Sequence, residues 1–150
     1  MTITLTLILI SSLQILAPVN RAIYIKQAEP ICIYNIKDPL LRAVAKTESN
    51  FNPLAVNPVS KARGLLQIMP DMIKEVNRIC RKIGIEESYT WADAFDPVKS
   101  IRMWYIAQDY HNPKYDLNLA CQIWFGRGVQ WDGMTWVEYS GIVKKHLYKT

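Results

Sequence analysis

Residues 38–70 read DPLLRAVAKTESNFNPLAVNPVSKARGLLQIMP. Asp38 is a good helix N-cap by residue type, and Pro39 suits the first helical position, where its missing N–H costs nothing. Leu41, Val44, Ala45 and Glu48 then fall at i, i+3, i+4 and i+7. That spacing puts the Glu48 carboxyl on the same face as buried apolar side chains. Such a carboxylate is costly unless it has a partner or a chemical task. No other acid lies between Asp38 and Asp71. Ser49, Asn50, Asn52 and Pro53 stop the helix, which is predicted over roughly 39–49. A plainer reading stands beside the chemical one: a Glu near a helix end is commonly solvated or ion-paired, here with Lys46, Lys61 or Arg63. Helical phase alone does not separate the two.

Outward from this stretch, the pattern stays helical. The loop 50–63 holds Pro53 and Pro58 and reads as irregular. Gly64 marks a close approach of backbone, followed by the short apolar segment Leu65 to Pro70. Asp71 is expected to cap a helix carrying Met72, Val76, Ile79, Cys80 and Ile83, with Gly84 as its stop. A loop over 85–95 contains Tyr89, Trp91 and Phe95. Asp96-Pro97 repeats the Asp38-Pro39 start signal, and Val98, Ile101, Tyr105 and Gln108 follow on one face. After a turn around Pro113, Asp116 caps a helix through Leu117, Ala120, Cys121 and Trp124. Thr135-Trp136-Val137-Glu138 is a capping box that opens a last amphipathic helix with Tyr139, Val143 and Leu147. No alternating strand appears. The fold class is therefore mainly α, with about five to six helices and little or no β-structure.

Glu48, Ser49, Phe51, Pro53, Ala55 and the run Gly64, Leu65, Leu66, Gln67, Ile68, Met69, Pro70 carry a resemblance. In type and spacing they are similar to the soluble lytic transglycosylase (SLT) domain, a lysozyme-like family related to goose-type lysozyme. The resemblance is firm over 38–70 and looser over 96–149. It implies a single lysozyme-like domain over 37–150 that cuts the bond between N-acetylmuramic acid and N-acetylglucosamine in peptidoglycan. It implies Glu48 as the general acid and base, with no metal or organic cofactor. The leaving oxygen is protonated, and the muramyl O6 hydroxyl is drawn onto its own C1 to give a 1,6-anhydro sugar. A carboxyl doing this needs its pKa raised by an apolar setting, so Arg42, Lys46, Lys61 and Arg63 are expected to point elsewhere.

By the same resemblance Ser49, Leu66, Gln67, Trp124 and Tyr105 are candidate substrate contacts. Trp124 reads equally well as core, Ser49 as a helix cap and Gln67 as a solvated turn. Glu75, on the next helix, is expected to be dispensable. The sequence also departs from the family. Lys61 stands where a Gly is usual, which implies a different or a strained turn. Leu66 replaces a Met, a swap of similar volume. The helix after Asp96 lacks the family's Gly, and Trp124-Phe125 stands for Tyr-Asn, which removes one side-chain hydrogen bond to substrate.

The chain has 150 residues, enough for one domain with a core. Its net charge of +5 favours polyanions such as the cell wall, and no basic run or nucleic-acid motif points to nucleic acid. Met1 to Asn20 carries no charge and reads as a signal peptide or signal anchor over 1–22, offering membrane attachment, with 23–36 as a connector. A buried N-terminal helix is the competing reading. Export to the periplasm or cell envelope follows from the first. Cys32, Cys80 and Cys121 allow three pairings or none, and small apolar core residues are an equal alternative. No Cys/His spacing suggests zinc, and His111 and His146 read as surface residues.

A hydrolytic goose-type-like muramidase is the nearest alternative function. Residues 49–70 contain no acid, whereas a hydrolase of this kind uses a second carboxylate. From another class, the domain could be an inactive glycan-binding or scaffold protein, a reading favoured by Lys61 and Phe125. Wall turnover, a secretion or conjugation machine, and phage assembly are all processes such a domain serves.

Overall fold

The structure, a computed structural model, describes residues 36–126 and 133–149. The expected export segment 1–22, the connector to residue 35, and Cys32 lie outside the described residues. Among the described residues five α-helices run in order: α1 (Pro39–Ser49), α2 (Pro70–Ile83), α3 (Pro97–His111), α4 (Leu117–Phe125) and α5 (Trp136–Leu147). A 3₁₀ turn, Trp91–Phe95, precedes α3. Among the described residues there is no strand, though isolated antiparallel bridges join Val56 with Arg63 and Arg63 with Ile68. The chain is mainly helical, as the sequence predicts.

The local start and stop signals act as expected at most ends. Asp38 accepts from the backbone of Leu40 at 2.9 Å and Leu41 at 3.2 Å, and Asp96 from Val98 at 2.9 Å and Lys99 at 3.2 Å. Asp116 accepts from Leu119 N at 2.8 Å, and Thr135 and Glu138 form the reciprocal capping box of α5. Gly84 ends α2 in the left-handed conformation. One start differs. Pro70, not Asp71, takes the first position of α2, so the cap is Met69, which offers no side-chain bond. Proline with its fixed φ is well suited to that position, which moves Asp71 into the first turn. There its charge still complements the helix N-terminus.

The core lies where α1 packs on α5, α5 on α4, and α2 on α3. Trp104, Leu41, Val44, Leu65, Leu66, Ile68, Val76, Ile79, Met103 and Val143 are all fully buried there. Cys80 and Cys121 are unpaired, buried thiols and serve as small core residues. Two features fix the 50–69 loop beneath this core. At Gly64, with φ +75°, a Cβ would meet the Ala94 carbonyl oxygen at 1.7 Å, so only glycine permits the contact with the 3₁₀ turn. Lys61 keeps the left-handed backbone that a glycine would hold, at φ 64°. The expected strain is thus present, held by Lys61 N to Asn57 O at 3.0 Å and by the Asn57 side chain, which accepts from Val59 N and Ser60 N.

Candidate active site

Glu48 sits in the last turn of α1, one residue before the helix ends at Ser49. It lines a cavity of about 600 Å³, within the size range of ligand sites. α1 contributes Lys46, Thr47 and Glu48; the loop contributes Asn57, Ser60 and Gln67; α2 contributes Asp71, Met72 and Glu75. Ile123, Trp124 and Phe125 of α4 and Tyr139, Ile142 and His146 of α5 close the other side.

The Tyr139 hydroxyl donates to Glu48 Oε1 at 2.6 Å, linking residues 91 positions apart. Tyr139 is itself buried, and Phe125 packs against its ring at a centroid distance of 5.0 Å. Burial raises the Glu48 carboxyl from 4.5 to about 7, against the hydrogen bond from Tyr139, which lowers it. Desolvation of the charged form is the larger effect. The residue is only partly buried as a whole, so the carboxyl is walled in yet opens on the cavity.

None of the four nearby cations counters this. Lys46 bonds Asn50 and lies over the Phe51 ring. Lys61 Nζ donates to Pro58 O at 2.7 Å, and the Arg63 guanidinium stacks 3.7 Å from the Trp91 ring centre. Arg42 is exposed. Glu48 has no ion pair among the described residues, so the solvated, ion-paired reading of it does not describe this geometry.

The other candidates divide. Gln67 and Trp124 line the cavity with Glu48. Gln67 has left-handed backbone, φ 49°, and its Nε2 donates to Gly64 O at 3.0 Å and Ala55 O at 3.3 Å. It is a bonded part of the loop, not a solvated turn. Trp124 Nε1 donates to Leu66 O at 3.0 Å, and its ring meets Trp104 edge-on at 4.8 Å, so it is both core and cavity wall.

Ser49, Leu66 and Tyr105 are not brought to the cavity. Ser49 Oγ donates to Leu65 O at 2.7 Å, tying the end of α1 to the loop. Leu66 has no exposed surface; its part is its carbonyl under Trp124. Tyr105 donates to Asp38 Oδ2 at 3.3 Å and so belongs to the start of α1.

Three residues escaped the sequence reading. Tyr139 was legible only as an apolar-face residue, although a buried Tyr hydroxyl ordinarily needs a partner. His146, about two turns further along α5, also faces the cavity. Glu75, expected to be dispensable, is part of the lining. It is gripped by Arg78 through Nε at 2.7 Å and Nη2 at 2.6 Å, and its Oε1 lies 2.7 Å from His111 Nε2. Its hydrogen bond with Arg78 is the main reason its carboxyl falls to about 2.

A family model described as the transglycosylase SLT domain matches residues 24–121, from before α1 into α4. No curated protein and no solved structure matches the chain. With about two thirds of its length matched, and a helical fold that presents one desolvated carboxyl to a cleft, the chain belongs to the SLT transglycosylase domain family, whose activity is directed at peptidoglycan.

Proposed function

We propose that the protein is a peptidoglycan-cleaving lytic transglycosylase in which Glu48 acts first as acid and then as base. The observation that carries this is the Glu48 carboxyl itself, desolvated, bonded by Tyr139 and open to the cavity. An acid poised near neutrality serves both directions of proton transfer. Protonated Glu48 gives its proton to the glycosidic oxygen as the bond from C1 breaks. The resulting carboxylate takes the proton from the muramyl O6 hydroxyl, and O6 closes onto C1. The proton count balances and no water is consumed. Tyr139 holds Oε1, which leaves the second oxygen to face the sugar.

Hydrolysis would instead need a carboxylate to activate water or to attack C1. Two further acids do line the cavity, outside the stretch 49–70. Asp71 is paired with Lys74 at 2.8 Å on an exposed rim. Glu75 is committed to Arg78 and His111. A carboxylate held so far below neutrality is a weak base, which favours the anhydro route.

Mass spectrometry of digested peptidoglycan tests this. Muropeptides one water lighter than lysozyme products support it, and reducing-end muramic acid as the main product refutes it. Glu48→Gln should lower turnover by roughly 10²–10⁴-fold while strands still bind; near-normal lysis by the folded variant would remove Glu48 from the mechanism. Binding without any cleavage by the unaltered protein would select the scaffold reading. The uncharged segment 1–20 supports export to the cell envelope, checked by fusing residues 1–30 to a reporter that works only outside the cytoplasm.

A further inference from the structure

Seven large apolar side chains stand exposed among the described residues, and three of them, Leu54, Val56 and Val59, fall within six positions of one loop. Leu54 is 72% exposed and Val59 73%. Single exposed apolar residues need no explanation, but a cluster does. The loop has two sides. Asn57 and Ser60 line the main cavity, whereas the three aliphatic side chains stand outside it. The loop is also held by its own bonds. Leu54 N donates to Asn52 Oδ1 at 2.9 Å, Val59 N to Asn57 Oδ1 at 2.9 Å and Lys61 N to Asn57 O at 3.0 Å. The outward face is therefore formed in advance of any partner. We propose that this face docks the domain on an anionic lipid bilayer.

The composition says what covers it. From Ser49 to Pro70 there is no acid, while Lys46 and Lys61, just before the loop and near its end, are both exposed. Lys46 Nζ meets Asn50 and Lys61 Nζ donates to Pro58 O; an ammonium has three donors, so each keeps some for a phosphate. Aliphatic side chains to enter the acyl boundary, cations at headgroup level and no anion to be repelled make an interfacial membrane contact. A glycan would ask for hydrogen bonds, which Leu54, Val56 and Val59 do not offer. A second copy of the chain would ask for roughly 800 Å² on each partner, more than three aliphatic side chains supply. The uncharged segment 1–20 leads to the same surface. Residues 21–35 join it to the described domain, a leash of at most about 50 Å. On the export reading, on which this inference rests, a bilayer is thus within reach. Docking by the loop sets the main cavity, on its inner side, beside the membrane surface.

The experiment puts the full chain, carrying Cys32→Ser and a spin label on Val59→Cys, on vesicles of phosphatidylethanolamine and phosphatidylglycerol. Cys80 and Cys121 are buried and escape the label. A label on Val137→Cys, an exposed valine at the start of α5, is the reference, and Leu54→Cys is the second loop position should the first variant fail to fold. Relaxation by oxygen, which concentrates in lipid, relative to a water-soluble nickel complex should be several-fold higher in the loop than at residue 137. Lys61→Glu, or vesicles of phosphatidylcholine alone, should shrink that difference. Equal ratios at the two positions would overturn the inference, and an active reporter fusion of residues 1–30 would then leave the export reading standing. A loop label shielded as strongly without vesicles would assign the face to a second copy, and one shielded by glycan strands but not by vesicles would assign it to substrate; either overturns the inference. A full chain that does not associate with the vesicles at all would overturn it too, while anhydro product would leave the proposed cleavage untouched.

Discussion

Glu48→Gln should make the protein more stable, and only above acid pH. Burial raises the Glu48 carboxyl from 4.5 to about 7. The folded state therefore binds this proton more tightly than the unfolded chain does. Below the ordinary carboxyl range both states hold the proton and Glu48 carries no penalty. As pH rises from about 4.5 to about 7 the unfolded chain releases the proton while the fold retains it, so stability falls through that window. At about 1.4 kcal/mol for each pH unit, the full cost is about 3 kcal/mol. Because Glu48 opens on the cavity and water relieves part of this, a gain of roughly 1–3 kcal/mol at pH 8 is the expected value for the Gln variant. That corresponds to a rise in Tm of roughly 3–10 °C for a chain of this size. Thermal melts of both proteins at pH 4, 6 and 8 measure it. The two Tm values should converge at pH 4 and separate at pH 8. A difference in Tm that is the same at pH 4 and pH 8 would refute the claim that the carboxyl is desolvated in the fold.

Tyr139→Phe removes the one hydrogen bond that holds the Glu48 carboxyl down, so the alkaline limb of the rate–pH profile should move to higher pH; a limb unmoved or shifted to lower pH would contradict the assignment. Gly64→Ala forces a Cβ to within 1.7 Å of the Ala94 carbonyl and should cost roughly 2–4 kcal/mol, read by urea denaturation. Lys61→Gly relieves left-handed backbone at φ 64° and should stabilise the protein by about 1 kcal/mol in the same assay; a loss of stability would refute the strain at this position.

Helix ends were legible because their determinants are local. Asp38, Asp96, Asp116 and the Thr135–Glu138 box act within three residues of themselves. The one cap misread, at Asp71, lay where a proline and an acid compete for the same turn. Glu48 was legible because helical phase placed it on the core face. Its partner was not, because nothing within a few residues of Tyr139 tells which helix its hydroxyl will meet; the packing of α5 on α1 decides that. Leu66 and Tyr105 show the converse. Leu66, within the matching motif, is turned fully inward, and Tyr105, outside it, braces Asp38. Glu75 and His111 are far apart in sequence and read separately as a dispensable acid and a surface histidine, and α2 packing on α3 makes them a pair.

The bond between Tyr139 and Glu48 also sets a timetable. A growing chain completes α1, and with it the Glu48 carboxyl, long before α5 has been synthesised. Until residues 136–147 fold back onto α1, Glu48 lacks the wall that keeps water from it and ionises like any exposed acid. The proposed catalytic centre is therefore the last part of the fold to be completed. Partly made or C-terminally clipped chains would carry the acid but not the buried setting that raises its pKa.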